Sequence, residues 1–322
     1  MKQEYSSVFA SCISDFVATK RASGYIYEAA EYNLHNFDQY CCSHVESGDL
    51  SRDLIMGWVK VKDGETPGAH KARISPIREL GKYMQLLGFP RTFVLPSALH
   101  RKIERYVPHF FSNQELTAFF STCDNLKPHA RIRARHMVIP VFFRLLYCCG
   151  LRTCEARTLR VENVDMQNRT IDIIRSKNHK SRRIPISEDL WSLFQKYDAC
   201  VSTIYPGRIY FFPTTRSECY KQNSISQIFR TTWANAGLPM GSEKKPRAYD
   251  FRHHFALSNL NRWIAAGLDV NSKLPYLTRY MGHACMESTD YYLHLVPEFF
   301  QTFCEKVRMT ETVIPEVDYD SE

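Results

Sequence analysis

The sequence lacks a long uninterrupted hydrophobic run. Its most apolar stretch, from Met137 to Leu151, is interrupted by Pro140 and Arg144, and the first residues lack the apolar core of a signal peptide. A helix that crosses a membrane needs about 20 consecutive apolar residues. We therefore expect a cytoplasmic protein that has no membrane partner.

Signatures of bound metals and nucleotides are also missing from the sequence. No Cys-x-x-Cys pair has zinc spacing, no acidic cluster suggests a metal, and no glycine-rich phosphate loop is present. The cysteine pairs Cys41-Cys42 and Cys148-Cys149 lie in apolar runs, which favours reduced, buried thiols over disulfides. The sequence thus predicts neither a metal nor a cofactor.

The composition is that of a folded protein with a positive surface. Of the 322 residues, 44% are hydrophobic and 24% are charged, and the formal net charge is +8. This length favours two domains over one. A positive surplus favours a polyanionic partner, because cationic side chains bind phosphates and release their counterions.

Apolar residues recur at helical spacing over residues 6–87 and predict four or five short helices. Gly88-Phe89-Pro90 ends the last of these helices, and prolines and basic residues follow it. The predicted organisation is a helical domain at 1–90, a linker at 91–108, a second domain at 109–310 and an acidic tail at 311–322.

The second domain is predicted to mix helices with a small sheet. Ser112 and Glu115 form a capping-box pattern that starts a helix. Alternating residues predict two strands, 169–174 and 182–186, which form a hairpin with a basic tip. Residues 223–307 again have a helical pattern. The expected fold class is therefore mainly α with a small antiparallel β-sheet.

Four clusters in the second domain hold residues suited to chemistry. They are Gly150-Leu151-Arg152 with Glu155, the charged turn around Lys177, Tyr249-Asp250-Phe251-Arg252, and Gly282-His283 followed nine residues later by Tyr292. Taken singly, each has an ordinary structural explanation. Arg152 can pair with Glu155 on a helix surface, a charged turn is usually solvated, and a lone tyrosine is usually structural.

Taken together in this order, the clusters resemble the catalytic domain of the tyrosine recombinase family, which includes phage integrases and Xer-type recombinases. The resemblance covers about residues 110–300. It implies an N-terminal helical core-binding domain of the SAM-like type, which binds DNA, and an α+β catalytic domain. The implied catalytic residues are Arg152, Lys177, Tyr249, Arg252, His283 and Tyr292.

The sequence departs from the family pattern at Tyr249, where a His-x-x-Arg motif usually has its histidine. A tyrosine is a poor base at neutral pH, so the departure puts the rate of cleavage in doubt. His253 and His254 lie one and two residues past Arg252. Helix geometry therefore predicts that both point away from the face that carries Arg252, and neither is expected to substitute.

The resemblance implies a reaction in which Tyr292 attacks a DNA phosphodiester and forms a 3′-phosphotyrosyl enzyme. Arg152 and Arg252 suit the anionic transition state, because a guanidinium donates paired hydrogen bonds to phosphate oxygens. His283 would add a further donor. Lys177, on the hairpin tip, would protonate the departing 5′ oxygen.

Double-stranded DNA is the implied partner, and both domains are expected to clamp it. The expected DNA-binding residues are Arg91, Arg101, Lys102, Arg105, Lys180 and Arg182. A homotetramer on two DNA sites is the implied working form, with accessory DNA-bending factors possible. Phe300, Phe303 and Val307 share one face of a predicted C-terminal helix, which would pack on a neighbouring protomer or on its own domain.

The resemblance therefore predicts that the protein is a site-specific recombinase or integrase of a mobile element or phage. Two alternatives remain at this stage. A type IB topoisomerase shares the same residue types but relaxes DNA as a monomer. A degenerate DNA-binding or regulatory protein of the same fold would bind DNA without forming a covalent adduct.

Overall fold

The computed structural model describes residues 4–45, 49–99, 107–129, 132–174, 181–241, 245–283, 289 and 292. The chain divides into two compact units, Met1–Tyr106 and Val107–Glu322. Among the described residues, no helix combines the length and the apolar character that crossing a membrane requires.

Helices build the described part of the first unit. They are α1 (Ala10–Ala22), α2 (Glu28–His44), α3 (Arg52–Val59) and α4 (Pro67–Leu86). Ser51 and Thr66 begin the last two helices, because their side-chain oxygens accept hydrogen bonds from the backbone N–H groups three residues later. The helical pattern predicted for residues 6–87 is therefore confirmed.

The first residues of the predicted linker pack against this unit. The N–H of Phe93 donates to the carbonyl of Leu50 at 2.8 Å, and Leu95 is buried in the core of the unit. Their apolar side chains account for this, because burial removes them from water. Arg91 is exposed, whereas Arg101, Lys102 and Arg105 lie outside the described residues.

The second unit is mainly helical around the buried helix α6. Its helices are α5 (Asn113–Asp124), α6 (Arg135–Cys149), α7 (Thr153–Arg157), α8 (Glu188–Ile204), α9 (Gln222–Asn235), α10 (Asp250–Ala265) and α11 (Val270–Met281). The predicted capping box is present at the start of α5. The Ser112 hydroxyl accepts from the N–H of Glu115 at 3.2 Å, and the Glu115 carboxylate accepts from the N–H of Ser112 at 2.7 Å.

A small antiparallel sheet has the order β1 (Val164–Asp165), β2 (Thr170–Ile173) and β3 (Arg182–Pro185). Strands β2 and β3 are the predicted hairpin, and Ile173 pairs with Arg182 at the end next to the residues that connect the two strands. The two-residue strand β1 was not predicted, since it is too short to show an alternating pattern. The mainly helical fold with a small antiparallel sheet is confirmed.

Burial of the paired cysteines was only half correctly predicted. Cys41 and Cys149 are buried, but Cys42 and Cys148 are exposed. Successive residues of a helix point about 100° apart, so at the edge of a buried face one of two neighbours turns toward solvent. The described cysteines are free thiols.

Candidate active site

The site is built on the ends of helices α6 and α11. Gly150 ends α6 with φ +57°, and Gly282 ends α11 with φ +65°, both in the left-handed region that glycine adopts without a steric penalty. The last carbonyl groups of a helix have no partner within it. Both turns therefore present free acceptors to cationic side chains.

Arg252, from the first turn of α10, binds both turns. Its Nη1 donates to the Gly150 carbonyl at 2.7 Å and its Nη2 donates to the Met281 carbonyl at 2.5 Å. The residue is 1% exposed, and its Nε has no hydrogen-bond partner among the described residues. Arg252 thus joins two segments that are distant in the sequence and retains one unpaired buried donor.

Arg152 reaches the same place from the start of α7. Its Nη2 donates to the Gly282 carbonyl at 2.7 Å, and its Nη1 donates to Glu155 at 2.8 Å. From the sequence alone, Arg152 and Glu155 could form an ordinary ion pair on a helix surface. The Glu155 side chain is only 3% exposed, so the pair is a buried part of the site.

Arg182 is placed differently from the expected DNA contact. Its Nη1 and Nη2 donate to the two carboxylate oxygens of Glu155 at 3.0 and 2.8 Å, and its Nε donates to the Tyr280 carbonyl at 2.6 Å. All three nitrogens of the guanidinium are directed at protein acceptors. The physical reason is that the buried Glu155 needs cationic partners, and Arg152 alone leaves acceptor capacity on its carboxylate.

Burial and neighbouring charge shift the pKa values of these groups. Burial raises the pKa of Glu155, but hydrogen bonds and charge from Arg182, and then from Arg152, outweigh it, so the pKa lies below its ordinary value. Burial, followed by the charge of Arg152, lowers the pKa of Arg252 to about 10. Arg252 therefore remains charged at neutral pH.

His283 follows Gly282 and is oriented by two threonines. The Thr278 hydroxyl donates to Thr289 Oγ1 at 2.9 Å, and Thr289 Oγ1 lies 2.8 Å from His283 Nδ1. Burial, then the charges of Arg252 and Arg152, lower the pKa of His283 to about 3, so the ring is neutral at pH 7. If Thr289 gives its one hydrogen to Nδ1, the ring proton sits on Nε2 and is free to be donated.

Tyr292 lies in a small apolar cluster with residues of α10 and α11. It is 3% exposed, and its ring is stacked on His283 with the centroids 6.2 Å apart. Its hydroxyl lies 3.0 Å from Nδ1 of His253. Tyr291 and Lys177 lie outside the described residues.

The contact between His253 and Tyr292 contradicts the expectation that His253 points away from the site. His253 lies four residues after Tyr249, so the two share one face of α10, and their rings meet at 5.2 Å. His254 does point elsewhere, because its ring packs against Phe111 and Tyr147.

The structure therefore brings Arg152, Arg252, His283 and Tyr292 together. Tyr249 stands at the start of α10, 37% exposed, with its ring against His253. Sequence reasoning missed His253, Thr278 and the role of Thr289. The four-residue spacing from Tyr249 to His253 was a signal for the first of these, whereas nothing local pointed to the two threonines.

Comparison with known proteins places this chain in a family. The profile of the Phage integrase family matches residues 109–298, which is more than half of the chain. The putative integrase/recombinase y4rB of Sinorhizobium fredii is 24% identical over 303 residues, covering 92% of this chain and 95% of that protein. The tyrosine recombinase XerC of Staphylococcus carnosus is 30% identical over 209 residues, covering 61% and 60%.

Solved structures share the fold at low sequence identity. The XerH site-specific recombinase bound to its difH substrate, in a pre-cleavage complex, aligns with a TM-score of 0.63 and 15% identity over 91% of this chain and 88% of that one. The Tn1549 transposon integrase in complex with transposon right end DNA aligns with a TM-score of 0.62 and 15% identity over 92% and 99%. With the family profile spanning the whole described site, this chain belongs to the phage integrase family of tyrosine recombinases.

Proposed function

We propose that this chain is a site-specific recombinase that cleaves and rejoins double-stranded DNA through a covalent bond to Tyr292. The observation that carries the proposal is the convergence of Arg152, Arg252, His283 and Tyr292 from separate segments onto two helix ends. The relatives that bear the names of integrases and recombinases support the same reaction.

The geometry suits the binding of one phosphodiester. Nε of Arg252 has no hydrogen-bond partner among the described residues, and this guanidinium stays charged beside Arg152. His283 offers Nε2–H in the tautomer whose Nδ1 accepts from Thr289. Donors held in place by the protein stabilise the extra negative charge of a pentacoordinate phosphorus without having to reorganise. These three residues are the proposed phosphate ligands.

The proposed reaction exchanges one ester for another. The Tyr292 oxygen forms a bond to phosphorus as the bond to the 5′ oxygen breaks, and the products are a 3′-phosphotyrosyl enzyme and a 5′ hydroxyl. The departing oxygen needs a proton, and family resemblance makes Lys177 the proposed donor. Attack by the 5′ hydroxyl of another strand reverses the step and joins the strands.

DNA contacts and assembly belong to the same proposal. The exposed Arg91 is a proposed backbone contact, together with Arg101, Lys102, Arg105 and Lys180. The working form is proposed to be a homotetramer on two DNA sites, with DNA-bending accessory factors, and the substrate to be the DNA of a mobile element or phage. Action on that DNA is the ground for proposing that the protein works in the cytoplasm.

The test is a covalent adduct that survives SDS. Wild-type protein is incubated with nicked duplexes that tile the DNA on both sides of its gene, beside Tyr292→Phe and the matched variant Tyr276→Phe. Tyr276 lies on α11 and is 72% exposed, so its change should leave adduct formation intact. Tyr292→Phe should bind the same duplexes and form no adduct, and peptide mapping should find the DNA on Tyr292.

Two outcomes would overturn the proposal. An adduct formed by Tyr292→Phe would show that another residue is the nucleophile. Binding of the duplexes by wild-type protein without any adduct would identify a DNA-binding protein that does not cleave.

A further inference from the structure

The hydroxyl of Tyr292 has a histidine partner that the family resemblance did not supply. Nδ1 of His253 lies 3.0 Å from the Tyr292 hydroxyl, and the two ring centroids are 5.5 Å apart. This is hydrogen-bond distance, and an imidazole nitrogen that carries no hydrogen can accept from the phenol O–H. His253 therefore touches the atom that would attack phosphorus.

The charge state of His253 allows it to accept this bond. Burial, followed by the charges of Arg247 and Arg252, lowers the pKa of His253 to about 4. At pH 7 the ring is neutral, so one nitrogen is an acceptor, and an acceptor at Nδ1 puts the ring hydrogen on Nε2. Among the described residues, the titratable and charged groups around the ring include Arg247, Tyr249, Arg252, His283 and Tyr292.

Because residue 249 is a tyrosine, the chain lacks a histidine proton acceptor at that position, and His253 lies where it can take that role. A histidine at 249 would assist as a proton acceptor or phosphate ligand, and a neutral tyrosine has little capacity to take up a proton. Tyr249 and His253 lie one helical turn apart on one face of α10, with their rings 5.2 Å apart. The acceptor is thus present at the site, one turn further along.

We propose that His253 is the proton acceptor for Tyr292, an inference that rests on the proposed function. As the Tyr292 oxygen bonds to phosphorus, its proton moves to Nδ1 of His253, and the 5′ oxygen leaves with a proton from the proposed acid Lys177. In the rejoining step, the attacking 5′ hydroxyl gives its proton back to Lys177, and His253 returns its proton to the departing phenolate. No other reactant enters or leaves.

The bound phosphate makes this proton transfer feasible. Arg247 and Arg252 oppose a positive charge on His253 in the free chain. The phosphodiester brings a negative charge to Arg252, and the transition state brings more, which offsets that opposition. Proton acceptance is therefore expected to be coupled to phosphate binding.

The first experiment compares His253→Gln with the matched variant His254→Gln. Glutamine keeps a hydrogen-bond acceptor but does not take a proton at neutral pH, and His254 lies on the same helix away from Tyr292. His253→Gln should lower the rate of adduct formation by about 10²–10⁴ at pH 7. The rate of this variant should then rise about tenfold per pH unit as the phenol ionises. His254→Gln should keep the wild-type rate and pH profile.

A substrate with sulfur in place of the bridging 5′ oxygen separates the two proton transfers. A thiolate leaves without a proton, because thiols are far more acidic than alcohols. This substrate should restore cleavage to Lys177→Ala but not to His253→Gln. Adding Tyr249→His to His253→Gln should recover part of the lost rate, since a histidine returns to the same helix face.

Each result bears on a different claim. Wild-type rate and pH profile in His253→Gln would overturn the proton-acceptor role, and so would restoration of that variant by the sulfur substrate. The absence of an adduct in wild-type protein would instead overturn the proposed function.

A measurement on the DNA-free chain tests the contact by itself. With nitrogen-15 histidine, NMR should show His253 protonated at Nε2, and Tyr292→Phe should shift its Nδ1 resonance. A His253 ring protonated at Nδ1, or an unmoved resonance, would overturn the inference whatever the activity of the protein.

Discussion

Glu155 balances the charge of the site, because both Arg152 and Arg182 bind its carboxylate. The three side chains are 3–12% exposed. We predict that Glu155→Gln lowers the free energy of unfolding by about 3–5 kcal/mol, since it leaves two buried cations without their anion. Urea unfolding at pH 7 measures this loss.

The surface pair Arg160–Glu162 provides the control. Its side chains are 50% and 65% exposed, so Glu162→Gln should cost at most about 1 kcal/mol. Equal losses for the two variants would show that burial does not set the strength of the Glu155 cluster.

At the residue scale, the sequence predicted which side chains lie together better than it predicted their partners. The family resemblance implied Arg152, Arg252, His283 and Tyr292, and the structure brings these side chains together. The direction of His253 was wrong, because the angle between neighbours on a helix says nothing about which residue from a distant segment packs beside them.

At the scale of elements, the ends of α6 and α11 set the geometry of the site. A Cβ atom at Gly282 would lie 2.8 Å from Nη1 of Arg182, whereas at Gly267, which follows α10 with φ +66°, it would meet open space. Gly282→Ala and Gly267→Ala should each cost about 1–2 kcal/mol, because both place alanine in the left-handed region. Gly282→Ala should cost more, since it also displaces Arg182.

The two variants should differ more in activity than in stability. Displacement of Arg182 and of the turn that binds Arg152 should slow adduct formation on the order of a hundredfold in Gly282→Ala, while Gly267→Ala keeps the wild-type rate. Adduct kinetics on one duplex compare them. Similar rates would mean that the turn after α11 does not position the site.

The sequence predicted these elements well where their signals are local. The capping box of α5, the apolar helix that ends at Gly150 and the β2–β3 hairpin each follow from neighbouring residues. The packing of Phe93 and Leu95 on the first unit was not predicted, because a segment rich in proline and basic residues has a linker composition even when its few apolar side chains are buried.

At the scale of the whole molecule, the two units should respond to acid over different pH ranges. In the second unit, folding lowers the pKa values of His253 and His283 to about 4 and 3. The unfolded chain therefore binds more protons below about pH 6.5, and stability falls as pH falls from there. In the first unit, hydrogen bonds from Arg73 lower the pKa of Glu65 to about 2, so its contribution is lost only below about pH 4.3.

We predict that mild acid destabilises the second unit first. The chain labelled with fluorotryptophan reports on both units, because Trp58 lies in the first and Trp191, Trp233 and Trp263 lie in the second. Urea unfolding is followed by the fluorine resonance of each tryptophan. Between pH 7 and pH 5, the urea midpoint that the three tryptophans of the second unit report should fall, while the midpoint that Trp58 reports should stay constant. An equal change of the urea midpoint at all four tryptophans would contradict the assignment of neutral histidines to the site.

The sequence by itself determined the helices, the hairpin, and the identity and order of the residues that define the family, because each depends on neighbouring positions or on spacing along the chain. Only the tertiary structure decided that Arg182 shares Glu155 with Arg152, that two threonines orient His283, and that His253 meets the Tyr292 hydroxyl. These contacts join segments that lie on different helices and strands. Burial and electrostatic pairing bring them together in the folded chain, and no local pattern encodes them.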